Sequence, residues 1–125
     1  MRAAPVFVFL AMAVFAGGAA ACTTPYRALL AQNKENIERL TLGMSKAELI
    51  QVMTDCGTSV KGKPFNNPFQ VDTWQKGSDV YEVLYYLTRH YQKFTPVRLS
   101  QTTPVVLRNG QVVGVGRAAL EELRN

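Results

Sequence analysis

The feature that most constrains this chain is its N-terminus, where an apolar run leads through small residues to a cysteine. Residues 6–15 carry no polar side chain, Arg2 precedes them, and glycines and alanines lead up to Cys22. This pattern is typical of a cleaved export signal, and it is shorter than the roughly 20 apolar residues of a membrane-spanning helix. We therefore predict a signal peptide at residues 1–21. One mature domain at residues 22–125 would remain, enough for a single hydrophobic core.

The cysteine at the predicted cleavage site has two chemical interpretations. Small residues before a cysteine are typical of lipoprotein precursors, whose sulfur receives a diacylglyceryl group before cleavage. Two or three acyl chains, such as palmitate, then hold the protein stably to a membrane. The same Ala19-Ala20-Ala21 also satisfies the ordinary A-x-A cleavage rule. Cys22 would then be free to bond Cys56, which would stabilise the fold by roughly 3–4 kcal/mol. We predict lipid attachment at Cys22 and keep the disulfide as the alternative.

The residue after the cysteine bears on location. Thr23 follows Cys22, whereas an Asp there would retain a lipoprotein in the inner membrane of enterobacteria. In a Gram-negative host we therefore expect a lipid-anchored protein on the periplasmic face of the outer membrane. Otherwise the chain is simply exported.

The charge of the mature chain is positive. Removing Arg2 from 14 basic residues leaves 13 against 9 acidic ones, a formal charge of +4, and the excess lies within residues 57–117. A basic surface attracts anionic phospholipid, polyanions or acidic proteins. A solvated sheet surface explains the same charges, and composition does not choose between these readings.

Helical signals fill the first part of the mature chain. Residues 25–40 repeat apolar side chains at helical spacing, and Thr24 is placed to cap this helix. Ser45 and Glu48 form the sequence pattern of a capping box, which predicts a second helix over residues 45–55.

Strand signals follow. Residues 58–68 are rich in Gly, Pro and Asn and predict a loop. The predicted strands are residues 69–76, 79–89, 104–108 and 111–115, with a tight turn at Asn109-Gly110 and a short helix over residues 117–123. The predicted fold class is α+β, with two N-terminal helices packed on one face of a three- to four-stranded antiparallel sheet as a two-layer sandwich.

Two segments resemble a known family. Residues 40–53, with Gly43-Met44-Ser45 and Glu48, resemble the L-x-x-G-M-[ST]-x-x-[EQ]-V segment of the SmpA/OmlA, or BamE-like, small outer-membrane lipoproteins. Residues 103–116 resemble the closing hairpin of that superfamily.

The resemblance implies a non-catalytic outer-membrane lipoprotein whose two helices pack on a three-stranded antiparallel sheet. It implies an accessory role in β-barrel assembly and envelope integrity, exercised through the barrel-assembly machinery and anionic phospholipid. The same fold also serves as a protein-inhibitor module, so a periplasmic inhibitor or ligand-binding module with a Cys22–Cys56 disulfide stays open as the alternative.

Residues for catalysis are sparse. The chain has one histidine, His90, and a nucleophilic pair with Cys56 has no local sequence support. No spacing of His, Cys and carboxylates suits a metal, and no glycine-rich phosphate loop is present. We therefore predict no enzyme activity, no metal and no cofactor.

Aromatic residues among basic ones suggest a binding surface. Export argues against a nucleic-acid ligand, and protein interfaces favour Trp, Tyr and Arg. We predict that Trp74 and Tyr86 lie on a face that meets a protein partner.

Overall fold

The elements of the domain follow the predicted helix-then-strand order, with additions. The computed structural model describes residues 22–54, 56–90 and 97–125, so the predicted signal peptide lies outside the described residues. The elements are α1 (Tyr26–Ile37), α2 (Lys46–Met53), β1 (Thr58–Val60), β2 (Lys63–Phe65), β3 (Gln70–Lys76), β4 (Asp79–Leu87), a 3₁₀ turn (Leu99–Gln101), β5 (Thr102–Arg108), β6 (Gln111–Val115) and α3 (Arg117–Arg124). The α+β class is as predicted.

A four-stranded antiparallel sheet with strand order β3-β4-β5-β6 forms the middle of the structure. The turn at Asn109-Gly110 joins β5 to β6 as predicted, with φ of 51° and 81°. Only residues that tolerate positive φ fit such a turn, and Asn and Gly are the usual ones. Gly77, at φ 64°, opens the equally short turn between β3 and β4.

Helices cover both faces of this sheet, which corrects the predicted two-layer arrangement. On one face, Leu49 and Met53 of α2 pack on Leu84 and Tyr86 of β4. On the other face, Leu120 of α3 joins a second set of buried side chains, namely Tyr81, Val83, Tyr85 and Val106. The reason is that β4 and β5 are apolar on both sides. The second face therefore needs a cover, and the C-terminal helix supplies it.

The segment predicted to be a loop at residues 58–68 contains a hairpin, and that prediction is wrong. β1 and β2 pair with each other as a separate two-stranded sheet. Lys61 and Gly62 make its turn, with φ of 51° and 82°. Glycine adopts positive φ readily, so Gly62 suits this conformation, whereas a lysine such as Lys61 gives no sequence signal for it.

The predicted capping box of α2 is confirmed. The Glu48 N–H donates to Ser45 Oγ at 3.2 Å, and the Ser45 N–H donates to Glu48 Oε1 at 3.1 Å. These hydrogen bonds lower the pKa of Glu48. The helix ends at Met53 because Thr54 has a φ of 60°, which is not helical.

The first helix is shorter than predicted and lacks the predicted cap. It ends at Ile37, and no side chain caps its first turn. The Thr24 N–H donates instead to the Gly57 carbonyl oxygen at 2.9 Å, so this part of the chain is tied to the start of β1.

Candidate functional site

Cys22 and Cys56 form a disulfide, with their Cα atoms 4.8 Å apart. Next to the disulfide, Thr23 and Gly57 form an isolated parallel β-bridge. A side chain at Gly57 would collide with the Phe65 carbonyl oxygen, so only glycine fits between this bridge and β2. Residues 22–23 are therefore fixed to the segment before β1 by a covalent bond and a backbone contact.

This pairing is the alternative that the sequence left open for Cys22. A sulfur atom in a disulfide has no bond left for a diacylglyceryl group, so the two fates of Cys22 exclude each other. Cys22 is exposed, whereas Cys56 is half-buried. Lipid attachment at Cys22 remains a prediction.

Trp74 lies on the α3 face of the sheet, in an aromatic and charged cluster. Its ring stacks on Tyr81 with centroids 5.5 Å apart and planes at 12°. The Arg124 guanidinium lies 5.7 Å from the Trp74 ring centroid. Beside them runs a shallow groove of about 470 Å³ between β3 and α3, with Lys76 and Leu123 in its lining.

A carboxylate and a tyrosine link Arg124 to the sheet. The Tyr85 hydroxyl donates to Asp72 Oδ2 at 3.1 Å, and Arg124 Nη2 donates to the Tyr85 oxygen at 3.3 Å. Arg124 Nη2 also lies 3.7 Å from Asp72 Oδ2. Burial, and then the Asp72 carboxylate, raise the pKa of Tyr85, which therefore stays a neutral donor. Two cations, Lys76 and Arg124, share this groove with one carboxylate.

Tyr86 lies on the opposite face, under the N-terminal helices, and only 1% of its surface is exposed. It lines a groove of about 240 Å³ whose other apolar residues include Ile50, Val71 and Leu84. An ion pair, Lys46 Nζ to Glu82 Oε2 at 2.8 Å, lies at this groove. Burial, and then the Glu82 carboxylate, raise the pKa of Tyr86, so its hydroxyl keeps its proton to a higher pH than an exposed tyrosine does.

Trp74 and Tyr86 do not share a face, so the structure does not bring the two predicted partner-binding residues together. Trp74 pairs with Tyr81 across β3 and β4, so both side chains lie on the same face of the sheet. Tyr86 is five residues further along β4, and its side chain therefore lies on the opposite face. Each residue instead lines a groove on its own side of β3. The two-residue turn at Gly77-Ser78 fixes this register and was already visible in the sequence.

His90 and Cys56 do not form a catalytic pair. Cys56 is bonded to Cys22, and the His90 ring packs edge-on against Tyr26 with centroids 5.7 Å apart. Within residues 22–54, 56–90 and 97–125, no three His, Cys, Asp or Glu side chains come together as metal ligands. No helix in that part of the chain is long and apolar enough to cross a membrane.

Fold and site together define a small α+β domain, with a disulfide at its start and a groove on each side of β3. The chain belongs to the DUF3192 family, described as a protein of unknown function, whose family model matches residues 14–122. No curated protein and no solved structure matches the sequence.

Proposed function

We propose that this chain is an exported binding module of the bacterial cell envelope, which acts by holding a protein partner. The observation that carries the proposal is the Cys22–Cys56 disulfide. Such bonds persist in oxidising compartments such as the periplasm and are rare in the cytosol. The bond begins directly after the predicted signal peptide, so two independent features support export.

The resemblance to SmpA/OmlA, or BamE-like, lipoproteins gives the proposal its biological setting. The capping box at Ser45 and the turn at Asn109-Gly110 support it, whereas the fourth strand and the helix on the second face of the sheet depart from it. By this resemblance the partner is a component of the barrel-assembly machinery, with anionic phospholipid as a further contact for the basic surface. The module needs no cofactor and catalyses no reaction.

A second candidate differs only in how the module is held. The run Ala19-Ala20-Ala21 directly before Cys22 also favours a lipoprotein, anchored by acyl chains to the periplasmic face of the outer membrane. In that form Cys56 is a free thiol, because the Cys22 sulfur carries the lipid. The disulfide favours the first form, since it uses both sulfur atoms.

Inhibition of lipoprotein signal peptidase separates the two forms. The tagged full-length chain is expressed in a Gram-negative host with and without globomycin. For the disulfide form we expect the processed protein in the periplasmic fraction under both conditions. Precursor that accumulates with globomycin supports the lipid-anchored form instead. Unprocessed chain in the cytosol under both conditions would overturn export.

Affinity purification then tests the partner. The tagged protein is recovered from detergent-solubilised envelope, and an unrelated tagged periplasmic protein serves as the control. Enrichment of barrel-assembly components supports the proposed setting. Specific enrichment of an unrelated partner would remove that setting and leave the binding module.

A further inference from the structure

The two edge strands of the four-stranded sheet, β3 and β6, differ in their backbone hydrogen bonds. Along β6, the segment before α2 supplies hydrogen bonds: the Gly43 N–H donates to the Val112 oxygen and the Val112 N–H donates to the Met44 oxygen, both at 2.8 Å. β3 is bonded to β4 on one side, and no other described strand pairs with it. An unpaired strand edge is a template for another extended chain.

Hydrogen bonds at β4 show which groups on β3 are open. The Val80 N–H donates to Asn109 Oδ1 at 2.9 Å, and the Val80 oxygen accepts from the Asn109 N–H at 2.8 Å. Val80 therefore turns its backbone toward the β5–β6 turn and away from Gln75, its partner on β3. Hydrogen-bonded and non-bonded pairs alternate in antiparallel strands. Gln75, Thr73 and Val71 thus point their N–H and C=O groups outward.

The surroundings of this edge differ on its two sides. Toward α1 and α2, the groove is lined by Ile50, Val71 and Tyr86, and the residues Ile50 and Val71 are 40% and 47% exposed. Toward α3, the groove carries Lys76 and Arg124 beside Asp72. Side chains alternate along a strand, so a chain added here sends one row of side chains to an apolar groove and the other row to a basic one.

We infer that the β3 edge binds an extended segment of a partner protein by strand addition. Apolar residues of that segment fill the groove at Ile50, Val71 and Tyr86, and its acidic residues face Lys76 and Arg124. Main-chain hydrogen bonds to Val71, Thr73 and Gln75 supply affinity, and the alternation supplies specificity. A second copy of this chain fits less well, because the formal charge of +4 on residues 22–125 (13 basic less 9 acidic residues) opposes self-association.

The test uses the exported protein and a peptide of matching chemistry. The probe is a capped heptapeptide, Glu-Val-Glu-Phe-Glu-Val-Glu, and the control peptide carries lysine in place of each glutamate. We expect saturable binding of the acidic peptide only, with amide shift changes in NMR centred on Val71, Thr73 and Gln75. Equal binding of both peptides, or shifts centred elsewhere, would overturn the inference.

A matched pair of variants isolates the main-chain contact. Thr73→Pro removes an outward N–H without removing a bond to β4, whereas Thr73→Val keeps it. We expect the acidic peptide to bind Thr73→Pro about tenfold or more weakly, and Thr73→Val like the parent. Unchanged binding to a folded Thr73→Pro would contradict strand addition.

A charge reversal keeps the test valid if the proline variant fails to fold. Lys76→Glu should weaken the binding of the acidic peptide and strengthen the binding of the lysine peptide. The opposite result would overturn the inference. Sedimentation of the free protein must show a monomer, since a dimer that Lys76→Glu disperses would assign the edge to a second copy. The edge is the same whether Cys22 carries a disulfide or a lipid, so these outcomes leave the proposed export untouched.

Discussion

A buried pair of amide side chains joins three parts of the domain. Asn33 of α1 and Asn67 before β3 are 0% and 2% exposed. Asn33 Nδ2 donates to Asn67 Oδ1 and to the Leu87 oxygen, both at 2.9 Å, and Asn67 Nδ2 donates to the Thr54 oxygen at 3.1 Å. The pair thus binds carbonyl groups at the end of α2 and of β4, and the Leu87 carbonyl group is buried and needs such a partner.

Truncating this pair should destabilise the fold. Asn33→Ala removes the donor to Asn67 Oδ1 and to the Leu87 oxygen, so we expect the free energy of unfolding to fall by about 1–3 kcal/mol. Urea denaturation measures the loss, and Gln32→Ala on the exposed side of the same helix is the control. An equal effect of the two substitutions would refute the role of the amide pair.

The Tyr86 hydroxyl should make stability depend on alkaline pH. Burial raises the pKa of the Tyr86 hydroxyl in the folded protein. In the unfolded chain the same hydroxyl ionises near pH 10, about the ordinary value for tyrosine. Stability is therefore fully present below about pH 10 and is lost as pH rises toward the folded pKa, at about 1.4 kcal/mol per pH unit. Tyr86→Phe should reduce that slope by this amount in denaturation curves above pH 10. Identical slopes in the two proteins would contradict a buried, protonated Tyr86.

At the scale of elements, α3 packs close to β6 because Gly114 on β6 has no side chain. A Cβ at Gly114 would lie 2.8 Å from the Cβ of Ala119, too close for both atoms. The close packing of α3 that buries Leu120 on the second face of the sheet therefore requires glycine at position 114.

A compensating pair of substitutions tests this contact. Gly114→Ala should displace α3 and lower the free energy of unfolding by about 1–3 kcal/mol. Adding Ala119→Gly should recover part of that loss by removing the opposing Cβ, apart from the intrinsic cost of a glycine in a helix. Thermal denaturation of the two single variants and the double variant measures the coupling. Strictly additive losses would show that the two positions do not meet.

The sequence predicted the elements whose signals are local and missed those that depend on packing. Ser45 with Glu48, and Asn109 with Gly110, announce a cap and a turn within four residues, and both are present. The β1–β2 hairpin was missed because its turn at Lys61 carries no such signal. The opposite faces of Trp74 and Tyr86 follow from the alternation of side chains on either side of the Gly77-Ser78 turn. The burial of Tyr86 was missed because it depends on α2, which is distant in the sequence.

At the scale of the whole molecule, the disulfide closes a long loop. Cys22 and Cys56 are 34 residues apart, and α1 and α2 lie between them. Linking these residues restricts the unfolded chain, which stabilises the folded one by roughly 3–4 kcal/mol for a loop of this length. The bond thus holds the two helices of one layer to the hairpin that follows them.

Removing the bond should weaken the domain without changing its fold. Cys56→Ser should lower the free energy of unfolding by roughly 3–4 kcal/mol relative to the oxidised parent, and the parent under reductant should show the same loss. Denaturation with and without reductant measures both. A parent that is insensitive to reductant, and equal in stability to Cys56→Ser, would mean that no disulfide is present.

The most direct test of the central claim, an exported module closed at Cys22 by a disulfide, is the intact mass of the protein isolated from the envelope without reductant. We expect the mass of residues 22–125 less two hydrogens, with alkylation of two thiols only after reduction. A mass that retains residues 1–21 would contradict export, and a diacylglyceryl group on Cys22 would contradict the disulfide.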